Sequence, residues 1–335
     1  MSNIEIDLNQ KVILVTGGTG SFGKAFIEYV LKNFNPKRLI VFSRDEQKQF
    51  EMENSPVFKN KSCLRFFIGD VRDLNRLRMA MRGVDFVVHA AAMKHVSIAE
   101  YNPLECVHTN ILGAENVVTS SIECGVKKVI ALSTDKAVNP INLYGASKLA
   151  SDKVFIAANS LSGDLSTQFS VVRYGNVAGS RGSIVPFFQN IISSGGKTLP
   201  ITDERMTRFW ISINQGVQFV LSSMNLMIGG EVFVPKIPSM SIVDLAYTLA
   251  PNAKLEYIGI RPGEKLHEAM ISKEDPSSVV EYNNCYIICP QYDESVERHY
   301  ISLDGVVLNS DFHYSSDQNK EWLDQESFTK LLSHD

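Results

Sequence analysis

No uninterrupted apolar run approaches the ~20 residues a membrane-spanning helix needs, and the first residues, MSNIEIDLNQ, carry acids and no apolar signal-peptide core. We therefore expect a cytoplasmic protein. Cysteine is scarce: five residues (63, 106, 124, 285 and 289), an odd number without zinc-type pairing, speak against a disulfide framework. Cys285 and Cys289 lie in the apolar segment 285-CYIIC-289 and read as buried reduced thiols. Neither H-E-x-x-H nor C-x-x-C spacing occurs, so no metal centre is expected. Basic residues form no block, and a formal charge of −4 argues against a nucleic-acid surface. Internal repeats and low-complexity linkers are missing too, and an apolar fraction of 44% in 335 residues excludes disorder and allows one large core or two moderate ones.

What is present is alternation. The apolar runs 11-KVILVT-16, 38-RLIVFS-43, 64-LRFFIG-69, 85-DFVVHA-90, 127-KKVIALS-133 and 168-QFSVVRY-174 are separated by segments long enough for crossover helices. Short runs rich in Val, Ile and Phe read as strands buried on both faces, so the pattern predicts an α/β fold with a doubly wound parallel sheet of Rossmann type. After about residue 175 the alternation loosens, with helical patterns near 184–194, 213–226 and 240–250. We expect a dinucleotide-binding domain over 1–175, completed by some later segments, and a smaller mixed C-terminal substrate lobe over 176–335. The final segment, 306-VVLNSDFHYSSDQNKEWLD-324, is read as completing the fold.

The loop 17-GGTGSFGK-24 follows the first strand and opens the amphipathic stretch 22-FGKAFIEYVLKNF-34, with Gly17, Gly20 and Gly23 at G-x-x-G-x-x-G spacing. Glycine permits the tight turn and close backbone approach, and amides at a helix N-terminus attract a pyrophosphate, so Gly17, Thr19, Gly20, Ser21, Phe22 and Gly23 are the expected cofactor cradle. The second strand ends in Ser43 and Arg44, with Asp45 and Lys48 just beyond. A hydroxyl and a guanidinium suit a ribose 2′-phosphate, which favours NADP over NAD; a solvated loop charge is the alternative for Arg44. Asp70 and Val71 in 69-GDVRD-73 lie where an adenine would rest, while the small residues around Ala90 in 89-HAAA-92 let the cofactor backbone pass, or simply pack closely.

The stretch 133-STDKAVNPINLYGASK-148 places Tyr144 and Lys148 one helical turn apart just after a strand. Free tyrosine is a poor base at neutral pH, and a cation on the same helix face lowers its pKa while reaching the nicotinamide ribose. Such a pair suits hydride chemistry on an alcohol. Glycine loop, GDV, HAAA and Tyr-x-x-x-Lys in this order resemble the short-chain dehydrogenase/reductase superfamily in its extended, nucleotide-sugar-modifying form, over nearly the whole chain.

Thr134-Asp135-Lys136 replaces the usual strand end of epimerases and retaining dehydratases, and Tyr144 follows after seven intervening residues. With 93-MKHVSIAEYNPLECVHTNILG-113, 173-RYGNVAGSRGSIVP-186, 202-TDERMTRFW-210 and 261-RPGEKLHE-268, this resembles the 5-inverting branch of the nucleotide-sugar 4,6-dehydratases. The resemblance implies UDP-N-acetylglucosamine as substrate, tightly bound NADP recycled in each turnover, a homo-oligomer, hexameric by analogy, and a first step of pseudaminic acid biosynthesis serving surface glycans or flagellin.

By the same resemblance Tyr144 takes the C4 hydroxyl proton, Lys136 is the C5 acid/base and Asp135 handles the C6 proton. Thr134 orients the C4 hydroxyl or caps the turn. A lysine base must be partly deprotonated, so the pKa of Lys136 is expected to be lowered by burial or by Lys148. Lys94 is assigned to the nicotinamide ribose or the substrate, and Tyr101 beside the sugar. Asn176, Arg181, Thr202, Arg208, Arg261 and Glu264 form the expected substrate-binding set, the arginines for phosphate and nucleotide contacts. A UDP-sugar 4-epimerase would need no acid/base pair beyond tyrosine and lysine, a C5-retaining dehydratase would carry glutamate at 136, and a catalytically inactive NADP-sensing regulator would have no need of Tyr144 and Lys148.

Overall fold

The computed structural model describes residues 6–163, 166–180, 182–274 and 278–333. The six sequence-predicted runs form β1 (Val12–Thr16), β2 (Arg38–Ser43), β3 (Leu64–Ile68), β4 (Phe86–His89), β5 (Lys128–Thr134) and β6 (Gln168–Tyr174). They lie side by side in the order β3-β2-β1-β4-β5-β6, all parallel. Val232–Pro235 extends the sheet parallel to β6, and Cys285–Ile288, Val279–Tyr282 and Val306–Val307 close that edge antiparallel.

All five residues of β1 are buried, as a central strand covered by helices on both faces requires. The expectation of burial on both faces fails at β3, where Ile68 is 49% exposed. As the outermost strand, β3 has a neighbour on one side only.

The crossovers are α1 (Ser21–Asn33), α2 (Glu46–Asn54), α3 (Leu74–Ala80), α4 (Val96–Tyr101), α5 (Pro103–Val107), α6 (Gly113–Glu123) and α7 (Leu143–Ala157). A π-helical turn, His108–Leu112, joins α5 to α6. The three later helical patterns become α8 (Ile184–Ser193), α9 (Ile213–Leu226) and α10 (Ile242–Leu249). Helix α9 starts where the sequence says it should: Ser212 and Gln215 form a reciprocal capping box.

Two hydrophobic cores result. The larger runs through both faces of the sheet and takes in Val217, Val220 and Met224 of α9, so residues far beyond β6 cover the same sheet. The smaller gathers Val185, Phe188, Leu199, Trp210 and Leu245, and closes with Phe328 edge-on to Trp210 at 5.1 Å.

The segment 263–274 is stapled to the turn that follows β5. Asn142 donates to the Gly263 carbonyl at 2.7 Å, Lys265 to the Val138 carbonyl at 2.5 Å, and Asn139 to Ser272 at 2.9 Å and Glu274 at 3.0 Å. Chain order reverses between β1 and β4, and at this switch point the strand carboxyl ends leave the crevice in which such sheets bind ligands.

Candidate active site

The glycine loop turns off β1 with Gly17 at a φ of +65°. A Cβ on Gly17 would stand 2.9 Å from the Ala90 backbone, so the loop and the 89–92 turn approach as closely as glycine allows. A Cβ on Gly23 would sit 2.6 Å from Gly18, which lets α1 begin directly under the loop. Gly20 caps α1 without any side-chain acceptor, so the N-terminal amides of the helix keep their capacity for an anion. The residues present therefore fit a dinucleotide pyrophosphate.

At the end of β2, Ser43 shares a 2.8 Å hydrogen bond with Thr19, tying the loop to the neighbouring strand. The Arg44 side chain is 61% exposed, its guanidinium 3.8 Å from Asp70. Asp45 caps α2 by accepting from the Lys48 amide at 3.0 Å, and its carboxylate meets the Lys48 ammonium at 2.6 Å. Those two expected cofactor contacts thus satisfy one another. Partial burial pushes the Asp70 carboxyl up, but the bonds from Arg72 outweigh it and the net shift is down. A cavity of about 360 Å³ opens beside this turn, lined by Arg72, His108, Leu112, Glu115 and Asn116. Asn116, in its lining, also holds the Val71 carbonyl at 3.0 Å.

Strand β5 delivers Thr134, which caps the short turn Asp135–Ala137, and Asn142 caps α7 by accepting from Gly145 at 2.8 Å. Gly145 lies against the Lys136 carbonyl so tightly that a Cβ would collide with it, which fixes Tyr144 beside the turn. Asp135 is fully buried; its Oδ1 accepts from the Thr134 hydroxyl at 2.8 Å and from the Lys136 ammonium at 3.1 Å, while its Oδ2 has no partner. The Lys136 ammonium also lies 3.4 Å from Asn176 Oδ1 and 3.5 Å from Glu268 Oε1.

The electrostatics correct two expectations, for Lys136 and for Tyr144. Burial alone would lower the pKa of Lys136, but the carboxylates of Asp135 and Glu268 overcome it and hold the ammonium above the ordinary lysine value. The Tyr144 phenol is pushed up to about 12, by burial first, with Lys136 and the Thr134 hydroxyl pulling in the opposite direction. Lys136, rather than Lys148, is therefore the cation acting most strongly on Tyr144. Lys148 donates to the Leu132 carbonyl at 2.7 Å, and burial lowers its pKa against the opposing pull of Asp152.

The expected substrate residues divide. Asn176 reaches Lys136, and Arg208 stands close enough to oppose its charge. Yet Arg208 is 5% exposed and donates to the carbonyls of Thr207, Lys265 and Leu266, with Glu264 at 3.7 Å. In this arrangement it braces the 264–266 loop. Thr202 is buried against the Met206 sulfur at 3.2 Å. Lys94 has its pKa lowered, by desolvation first and by Lys136 second, which places it beside the cluster. Tyr101 is 88% exposed at the end of α4, and Arg261 is exposed on its loop. Arg181 lies outside the described residues.

Three features escape sequence reading. Glu268 ends the stretch 261-RPGEKLHE-268, but in that irregular segment no periodicity singles it out. Asp152, one turn beyond Lys148, accepts from Ser133 at 2.7 Å and pairs with buried Arg173 at 3.3 Å; the i,i+4 spacing from Lys148 is the signal that could have found it. His89 is buried against Thr16 at 2.8 Å, and burial, then Lys148, lower its pKa to about 3. Among the described residues no group of His, Cys, Asp or Glu is arranged to hold a metal, no helix is long and apolar enough to cross a membrane, and all five cysteines are free.

Comparison with known proteins adds the following. A family described as polysaccharide biosynthesis protein matches residues 13–290. A Campylobacter jejuni protein named UDP-N-acetylglucosamine 4,6-dehydratase (inverting) is 57% identical over 97% of this chain and 98% of its own. A Rickettsia bellii protein named UDP-glucose 4-epimerase is 44% identical over 83% of this chain and 82% of its own. Among solved structures, Pen from Bacillus thuringiensis superposes with a TM-score of 0.88 at 36% identity, over 98% of this chain and 99% of that one.

Proposed function

The chain belongs to the polysaccharide biosynthesis protein family, and from that premise we propose that it is an inverting UDP-N-acetylglucosamine 4,6-dehydratase. The product is UDP-2-acetamido-2,6-dideoxy-β-L-arabino-hex-4-ulose, formed with loss of water. The observation that carries this reading is the ion pair of buried Asp135 with half-buried Lys136 next to Tyr144, an acid/base set beyond what hydride exchange at one carbon needs.

Gly17, Gly20, Gly23, Thr19 and Ser43 cradle a nicotinamide cofactor, which when bound supplies a hydride acceptor for C4 and a hydride donor for C6. Tyr144, held by the Thr134 hydroxyl, receives the C4 hydroxyl proton once ionised, with Lys136 the cation that pulls its pKa down toward that state. The resulting 4-ketone acidifies C5, and Lys136 removes that proton. Asp135, whose Oδ2 has no other partner, carries the proton to the departing C6 oxygen. A solvent-derived proton delivered to C5 on the opposite face gives the L-configured product. The exposed Arg44 guanidinium supports NADP as the dinucleotide. A homo-oligomer is supported by Ile98, Tyr101 and Leu104, which are 50%, 88% and 69% exposed on α4 and α5. The reading makes the protein a supplier of pseudaminic acid biosynthesis.

The test is incubation with UDP-N-acetylglucosamine in D2O, followed by proton NMR. A 6-deoxy-4-keto sugar with deuterium at C5 and L-arabino couplings is expected. UDP-N-acetylgalactosamine in its place would mean an epimerase and would overturn the roles of Asp135 and Lys136.

A further inference from the structure

A lysine held cationic by two carboxylates is the wrong species to remove a proton from carbon, and the surroundings of Lys136 show how the difficulty is met. Asp135 Oδ1 is already engaged twice, by the Thr134 hydroxyl at 2.8 Å and by Lys136 at 3.1 Å. Glu268 differs. Its side chain is 3% exposed, its Oε1 faces the Lys136 ammonium at 3.5 Å, and its Oε2 has no partner at all. Its backbone is fixed from a third part of the chain: the Glu268 amide donates to Ser316 Oγ at 3.0 Å, and the Ser316 amide donates back to the Glu268 carbonyl at 2.8 Å. A carboxylate this well fixed, yet with only one polar contact on its side chain, has an open position for a proton.

We propose that Glu268 is a positioning residue that takes the Lys136 proton inside the closed site, freeing the amine to remove the C5 proton and returning the proton when C5 has been reprotonated. The step balances within the pair: the Lys136 N–H bond breaks, a Glu268 O–H bond forms, and ammonium plus carboxylate become amine plus carboxylic acid. This transfer itself exchanges no proton with solvent and creates no net charge in the site. The inference rests on the proposed role of Lys136 as the C5 base. The other charged or titratable groups facing the pair are Asp135, Tyr144 and Lys94 on the cofactor side, with Arg208 and Lys265 from the smaller lobe.

The test is the pH profile of kcat for wild type, Glu268→Gln and Glu268→Asp, with C5 deuterium incorporation followed in the same samples. If the proton is passed internally, wild-type kcat is flat across neutral pH. Glu268→Gln has no internal acceptor, so its proton must go to solvent, and kcat should rise about tenfold per pH unit across the same range, with KM changing less than kcat. Glu268→Asp keeps the carboxylate and should restore a flat profile at reduced kcat. Superimposable profile shapes for wild type and Glu268→Gln overturn the proposal. Should Glu268→Gln fail to fold, a rising profile in Glu268→Asp does so in its place. A wild-type enzyme that makes the 4-keto product without C5 deuterium refutes Lys136 as a solvent-exchanging C5 base, which separates failure of the parent reading from failure of this one.

Discussion

Replacing Asp152 by alanine leaves the Arg173 guanidinium, 5% exposed, without its carboxylate in the larger core. Removing one partner of a buried ion pair costs about 3–5 kcal/mol, because the remaining charge stays desolvated. Arg173 keeps its bond to the Met270 carbonyl at 3.0 Å, which argues for the lower part of that range, but Ser133 loses its acceptor as well. With an unfolding entropy of about 2.1 cal/mol/K per residue over 335 residues, the loss corresponds to a fall in Tm of about 4–7 °C. Differential scanning calorimetry measures it directly. The mechanism makes a second demand: Asp152→Ala combined with Arg173→Met removes the orphaned charge, so the double variant should melt above Asp152→Ala alone. A double variant that melts at or below Asp152→Ala would refute the orphaned-charge reasoning and leave simple loss of packing.

Tyr144→Phe should lower kcat by about 10²–10⁴-fold while the protein still binds UDP-N-acetylglucosamine, measured by NMR of product formation alongside calorimetric titration. Arg44→Ala should weaken NADP binding by about 10- to 100-fold and leave NAD nearly unchanged, read by titration of the nucleotide-free protein. His89 has a folded pKa of about 3 against an ordinary 6.5, so its neutral form is the one the fold favours. Its contribution to stability is complete above pH 6.5 and is lost as pH falls toward 3; His89→Gln should flatten the decline of urea-unfolding stability over that window.

The sheet was legible because a strand buried on both faces is written as a largely continuous apolar run, as β1, β2 and β5 are. The glycine loop and the Tyr144–Lys148 spacing were legible for the same reason, since each is a local pattern. Glu268 was not, because its position depends on a turn of 263–274 and on Ser316, nearly fifty residues farther on, and no local pattern records that meeting. The bracing by Arg208 was not legible either, because its residue type announces an anion ligand and says nothing of the three backbone carbonyls it meets. Burial on both faces failed at β3 because a run of residues does not say whether its strand will end up at an edge.

The staples between 263–274 and the turn after β5 bear on how such a protein could be altered. Because Asn139 and Asn142, together with the Val138 carbonyl, anchor the same segment that presents Glu264 and Glu268, sugar choice and proton chemistry share one scaffold under the roles proposed above. A lobe exchanged wholesale for that of a relative with another sugar preference would arrive with a different grip on Lys136. On that proposal, new specificity on this frame comes from point changes at exposed side chains such as Arg261, which make no contact with Lys136.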